Sequence, residues 1–112
     1  MIHPWLAPRR LQIACFEATF HYWFIRPSQV DGSITLPIGL PNLPSYPSGH
    51  SCFTSAIMTV LIDAFPSERD RLDEVITASG LSRIYAGLHY RFDIEAGQAI
   101  GRGAAALAGT LQ

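Results

Sequence analysis

Apolar positions between Pro8 and Phe24 recur every three or four residues. Leu11, Ala14, Cys15, Ala18, Tyr22 and Ile25 fall along one helical face. The spacing predicts a helix that starts near Pro8, a first-turn position that proline suits. It ends at Arg26-Pro27, because the residue before a proline avoids helical backbone. A second stripe, Phe53, Ile57, Val60, Leu61 and Ala64, predicts a helix over 48–65, stopped by Pro66. Ser67 and Asp70 resemble a capping box for a third helix that runs through Leu72, Val75 and Ile76 to Ser79. The stretch 81–88, bracketed by Gly80 and Gly87, carries no decisive period, and helix and loop both stay open. Asp93 opens a fourth helix to about Ala108. Its small residues, Ala96, Gly97, Gly101, Gly103 and Ala104 to Ala106, would let another helix come close. The predicted elements are all helical, which makes the chain all-α.

Residues 27–47 break the pattern. Five prolines (Pro27, Pro37, Pro41, Pro44, Pro47) and two glycines (Gly32, Gly39) separate the first two helices. A connection beyond about 12–15 residues is uncommon in a compact domain unless it is functional or disordered. Ile34, Leu36, Ile38, Leu40, Leu43 and Tyr46 argue for an ordered loop packed on the body.

The 112 residues suit one domain. Hydrophobic residues make up 48% and charged residues only 15%, against about 25% in typical soluble domains. That balance excludes a disordered chain and implies that part of the surface is covered, by further helices or by another copy. A net charge of −1 disfavours nucleic-acid binding. All eight basic residues are Arg, so no lysine chemistry is available. Cys15 and Cys52 stand 37 positions apart without metal-ligand spacing, and the low cysteine density favours buried thiols. No run of about 20 apolar residues spans a membrane, and Met1 to Arg10 hold no apolar signal core.

Two segments carry candidate chemistry. Tyr46-Pro47-Ser48-Gly49-His50-Ser51 places a hydroxyl, a glycine and an imidazole where a loop enters a helix. Unpaired N–H groups there suit an oxoanion, and His50 is a proton carrier near neutral pH. The bland alternative is an N-cap serine beside a surface histidine. In the segment 82–93, Arg83 offers a planar fork of donors. His89 and Asp93 are four apart, so one helical turn brings the carboxylate to the imidazole. Arg26, at the mouth of the long loop, is unremarkable alone.

Together these segments resemble the superfamily of type 2 phosphatidic acid phosphatases, bacterial acid phosphatases and vanadium-dependent haloperoxidases. Its pattern is Lys, six residues, Arg-Pro; then Pro-Ser-Gly-His; then Ser-Arg, five residues, His, three residues, Asp. The second part is complete at Pro47-Ser48-Gly49-His50 and the third at Ser82-Arg83, His89 and Asp93. The first keeps Arg26-Pro27, but Thr19 holds the lysine position. The flanks 21–27 and 90–97 look most like the soluble bacterial haloperoxidase-like branch.

The resemblance implies that the chain is the catalytic C-terminal portion of the haloperoxidase-like fold, a helical bundle. It implies an oxoanion pocket in which Arg26, Ser48, Gly49 and Arg83 hold phosphate or vanadate, with Thr19 in place of a cationic ligand. In phosphatase members the counterpart of His89 attacks phosphorus, that of His50 protonates the leaving group and that of Asp93 orients the nucleophile. In haloperoxidase members the counterpart of His89 ligates the vanadium of vanadate. The implied substrates are a phosphate ester, without cofactor, or peroxide plus halide, with vanadate as cofactor. Members are often extracytoplasmic. Thr19 and the roughly 18 residues before it make an N-terminally truncated single domain the expectation, and a non-catalytic remnant the alternative. A serine hydrolase built on Ser48, a zinc site of His50, His89 and Asp93, and a dinucleotide fingerprint at Gly101-x-Gly103-x-x-Ala106 all lack their supporting context.

Overall fold

The computed structural model describes residues 6–109. The first five residues, part of the stretch read for a targeting signal, and the last three lie outside them. The described residues form five α-helices and no strand. They are α1 (Leu6–Tyr22), the one-turn α2 (Pro27–Val30), α3 (Gly49–Ala64), α4 (Arg69–Tyr85) and α5 (Arg91–Gly109), with a 3-10 turn at Pro66–Glu68 before α4. None is long and apolar enough to cross a membrane.

Helix α1 stops two residues earlier than its apolar spacing predicts. Trp23 takes a left-handed backbone, φ 47°, and its N–H caps the Thr19 carbonyl at 3.1 Å. The chain turns away there, so Tyr22 and Ile25 lie exposed rather than along the buried face. Among residues 9–22, α1 buries the narrower row Leu11, Cys15 and Thr19, spaced by four.

The buried face of α3 is also not the expected one. Ser51, Cys52, Ser55, Ala56 and Ile62 are buried, whereas Ile57 is 54% exposed. The reason lies on α5, whose small residues allow the backbones to meet. A Cβ on Gly97 would stand 2.5 Å from the Ser48 carbonyl oxygen, and one on Gly101 would stand 2.4 Å from that of Cys52. Both are closer than real contacts permit, so α3 and α5 pack at a distance only glycine tolerates. The open stretch after Gly80 resolves as helix to Tyr85 and as turn and loop from Ala86 to Leu88. Helix α4 runs through Gly80, where an added Cβ would strike Ile94 at 2.5 Å. Ser67 does not cap α4, whose N-cap residue is Glu68 and makes no side-chain cap bond.

The expectation of free thiols is overturned. Cys15 and Cys52 form a disulfide, with Cα atoms 6.6 Å apart, inside the core that Leu11 and Ala56 share. Two helices crossing face to face bring the sulfurs together, and a density argument made for small cysteine-rich scaffolds does not see such a crossing. Closing a loop of 37 positions restricts the unfolded chain by about 4 kcal/mol in the loop-entropy estimate.

The Pro-rich segment between α2 and α3 holds no regular element. Its middle packs less than expected: Ile38, Leu40 and Leu43 are exposed, while Ile34 and Leu36 touch the Gly87 turn.

Candidate active site

Three sequence-distant segments meet at one end of the bundle. Aromatic rings hold them on the outside. Phe24 packs edge-on against Tyr90 and Phe92, Tyr90 stacks on Phe92, and Tyr46 contacts both Tyr22 and Phe92. Such pairs contribute about 0.5–1.5 kcal/mol each beyond their burial. They join residues 22–24, 46 and 90–92, the flanks of the three motifs.

Inside this clamp, Asp93 is the hub. It is fully buried in the first turn of α5. Its main-chain carbonyl accepts the Ser48 N–H at 3.0 Å, which fixes the entry to α3. Its Oδ2 accepts the Nδ1–H of His89 at 3.1 Å, the Tyr90 N–H at 3.0 Å and the hydroxyl of Ser45. Burial, helped by the Asp93 charge, pushes the Tyr90 phenol up.

His89 reaches this place through the turn after α4. Gly87 has φ 74°, and a Cβ there would lie 2.6 Å from the Thr35 carbonyl oxygen, so only glycine fits. The turn is tied back by the Leu88 N–H to Arg83 carbonyl bond at 3.1 Å. Arg26 closes the other side of the ring. Its Nη1 lies 3.1 Å from His89 Nε2 and 3.0 Å from the Leu88 carbonyl, and its Nε donates to the Leu43 carbonyl at 3.1 Å. A guanidinium only donates, so Nε2 is the acceptor and the His89 proton sits on Nδ1, facing Asp93. Arg26 in turn is set by Gln29, whose side-chain oxygen accepts the Arg26 N–H at 2.7 Å. Burial pushes the Arg26 guanidinium below its ordinary value while Asp93 works against that; it stays cationic.

The cleft these groups border has a volume of about 180 Å3, room for several waters at about 30 Å3 each. Thr19, Arg26, Gly49, His50, Arg83 and His89 all line it. Gly49 opens α3, and the space where a Cβ would project is empty. Arg83 comes from the last turn of α4, its Nε held at 3.1 Å by the Ser82 hydroxyl. His50 stands exposed at the mouth. Burial on its cleft side, then the charge of Arg83, push its pKa down, so the free ring is neutral near pH 7.

Two expected ligands sit differently. Ser48 is fully buried and does not line the cleft; its Oγ accepts the Ser51 N–H at 3.2 Å as the N-cap of α3. Its hydroxyl thus plays the helix-capping part that the bland alternative gave it. Thr19 does line the cleft, with its hydroxyl donated to the Cys15 carbonyl at 2.9 Å. Among the described residues, no group of three or more His, Cys, Asp or Glu is arranged to hold a metal ion. The cleft instead gathers arginines and N–H donors, a set that suits an oxoanion. Gly101 and Gly103 lie inside α5, away from any nucleotide-type turn. Sequence reasoning missed Ser45 and Gln29. Ser45 stands just upstream of the hexapeptide, and neither residue carries a periodicity or spacing signal.

Comparison with known proteins gives a consistent picture. The family model of the PAP2 superfamily matches residues 11–111. Over 57 residues the chain is 35% identical to the non-specific acid phosphatases of Salmonella typhi and Salmonella typhimurium, a stretch covering 51% of this chain and 23% of each relative. It therefore spans under a quarter of the length of these curated relatives. The crystal structure of Aquifex aeolicus LpxE superimposes with a TM-score of 0.86 at 24% identity, over 94% of this chain and 64% of that one. A bacterial vanadium-dependent iodoperoxidase gives 0.80 at 26% identity, over 93% and 30%. A transmembrane PAP2-type phosphatidylglycerolphosphate phosphatase from Bacillus subtilis gives 0.69 at 20%, over 95% and 55%. Phosphatases and a peroxidase both stand among these matches, which carry the superfamily rather than its haloperoxidase-like branch.

Proposed function

The chain belongs to the PAP2 superfamily, and on that premise we propose that its cleft binds a phosphomonoester and transfers the phosphoryl group to His89. The observation that carries this reading is the state of His89. Its Nδ1 proton is committed to Asp93 and its Nε2 lone pair is turned to the arginine-lined cleft. In the free protein Arg26 covers that lone pair. A bound phosphate offers Arg26 a stronger, charged acceptor, which uncovers Nε2 for attack.

Nε2 then forms a bond to phosphorus as the ester P–O bond breaks. The leaving oxygen takes a proton from His50. Free His50 is neutral near pH 7, and a phosphate dianion arriving beside it draws the ring to its protonated form. In the second half, His50 takes a proton from water, the oxygen attacks phosphorus, and the N–P bond breaks to release phosphate and restore His89. Asp93 stabilises the cationic imidazole through both halves. Arg26, Arg83 and the Gly49 N–H hold the equatorial oxygens.

Vanadate fits the same residues: Arg26, Arg83, His50 and the Gly49 N–H would hold its oxygens, His89 Nε2 would be its protein ligand, and bound there it supplies peroxide activation for halide oxidation. The 26% identity to the iodoperoxidase favours keeping this second reading. The buried Cys15–Cys52 disulfide supports an oxidising compartment as the working environment.

Turnover of p-nitrophenyl phosphate tests the proposal. Wild type is expected to hydrolyse it and to trap an acid-labile phosphohistidine, and His89→Gln to lose both. Absence of turnover in the wild type would favour the non-catalytic alternative that Thr19 raises. Turnover that survives His89→Gln would overturn the assignment of the nucleophile.

A further inference from the structure

Ser45 lies outside every motif that drew attention to this chain, yet it is completely buried. Its hydroxyl donates to Asp93 Oδ2 from 48 positions away in sequence. Its backbone N–H donates to the Phe24 carbonyl at 2.7 Å, two residues before Arg26. Ser45 therefore ties the carboxylate behind His89 to the segment that presents Arg26.

The two oxygens of Asp93 are loaded unequally. Oδ2 accepts three donors, from Ser45, His89 and Tyr90. Oδ1 is equally buried and has no partner among the described residues. A carboxylate free to turn about its Cβ–Cγ bond would share its donors between both oxygens. The Tyr90 N–H and the His89 ring belong to the same short stretch as Asp93 and move with it. Ser45 is the donor that comes from elsewhere in the fold.

We infer that Ser45 is a positioning residue, whose hydroxyl locks the rotation of the Asp93 carboxylate so that Oδ2 holds the Nδ1 proton of His89. The inference deepens the proposed phosphotransfer reading and rests on His89 as its nucleophile. Without the hydroxyl, the two carboxylate oxygens exchange places and the His89 Nδ1–H bond is made intermittently. The backbone bond to Phe24 survives a change to alanine, so the loop keeps its anchor. The phosphate-holding groups, Arg26, Arg83 and the Gly49 N–H, are untouched. Loss is thus expected in the chemical step and not in binding.

The test uses the whole chain and Ser45→Ala. In histidine-labelled protein, the 15N and 1H signals of His89, assigned by their loss in His89→Gln, report the Nδ1 proton directly. The proton is expected to exchange with water about tenfold faster in Ser45→Ala, the effect of losing one hydrogen bond's worth of order. With p-nitrophenyl phosphate, kcat is expected to fall about tenfold while KM stays within about twofold. In an Asp93→Asn background the same substitution is expected to cost little, since Ser45 acts through that carboxylate. A merely structural role would lower both backgrounds alike and leave Nδ1 exchange unchanged; either result overturns the inference. If the wild type turns over no phosphate ester, the phosphotransfer proposal fails, and the exchange measurement alone decides the role of Ser45. Should Ser45→Ala lose its fold, Ser45→Cys, near in size and weaker as a donor, carries the same exchange measurement with a smaller expected acceleration.

Discussion

Arg26 Nη1 rests 3.1 Å from His89 Nε2, across 63 positions of sequence. The same guanidinium satisfies the Leu43 and Leu88 carbonyls, so one side chain holds the Pro-rich loop, the turn after α4 and the imidazole together. Lysine keeps the charge but not the planar fork, and it cannot span the three acceptors. Arg26→Lys is expected to lower stability by about 1–3 kcal/mol, because at least one buried carbonyl goes unpaired. Phosphate affinity should drop with it. Urea unfolding and calorimetric titration of phosphate check both; a variant as stable as wild type would show that the loops hold without the fork.

Reduction of the Cys15–Cys52 disulfide should act on stability rather than on cleft chemistry. Neither cysteine lines the cleft. The paired Cys15→Ala/Cys52→Ala variant, or reduction under denaturing conditions followed by refolding, is expected to lose about 2–4 kcal/mol. Thermal unfolding with and without reductant measures it.

Much of the site was readable because its chemistry is written in short, contiguous spacings. Ser48 to His50 enter a helix together, and the four-residue spacing of His89 and Asp93 brings them together even though His89 lies in the loop just before α5 and not on a helical turn. What escaped reading depends on contacts between segments. Ser45 and Gln29 matter through one hydrogen bond each to a distant or reversed partner. The disulfide depends on where α1 crosses α3. Apolar periodicity predicts the wrong face of α3 because it assumes that bulk is buried, whereas Gly97 and Gly101 bring α5 so close that small residues, Ser51, Cys52, Ser55 and Ala56, fill the interface. The apolar spacing predicts a longer α1 because nothing in it announces the left-handed turn at Trp23.

The glycines of α5 give a paired prediction. A methyl at Gly97 would meet backbone atoms of Ser48 and Cys52, which cannot yield without moving the start of α3. Gly97→Ala is expected to destabilise by about 1–3 kcal/mol, as overpacking does, and to weaken anion binding through the displaced α3 N-terminus. Gly103, in the same helix, has nothing within 4 Å of the added Cβ. Gly103→Ala should stabilise by about 0.5–1 kcal/mol through helix propensity alone. Chemical denaturation of the two variants tests the contrast.

Proton linkage should betray His50. Its pKa lies below the ordinary 6.5 in the free protein, with burial as the main cause. A dianion in the cleft favours the imidazolium, so the pKa rises on binding. Between the free and bound values, each anion bound takes up a proton, and affinity rises as pH falls. Sulfate does not itself titrate there, so its affinity should climb as pH falls and level off below the depressed His50 value. His50→Gln should flatten that dependence. The same depression makes the free fold lose stability as pH drops below 6.5, because the unfolded chain takes up the proton first.

Thr19 offers the sharpest substitution. It is 5% exposed on the last full turn of α1, and its side chain faces the cleft even though the helix ends three residues later. The present hydroxyl is spent on the Cys15 carbonyl and brings no charge to the site. A lysine there would lay its stem along the wall beside Phe16 and put an ammonium near Arg26 and Arg83. In the free protein that third cation is repelled by its neighbours, so Thr19→Lys should unfold more easily than wild type. With an oxoanion bound the balance reverses, because the ammonium gains a charged acceptor. A hydrogen bond to a charged group is worth about 1.5–3 kcal/mol, or roughly 10- to 150-fold in affinity. Calorimetric titration of orthovanadate or phosphate into both proteins measures the gain, which should shrink as salt is added if the cleft stays partly open. Equal affinities would mean that the two arginines already supply all the charge the anion can use.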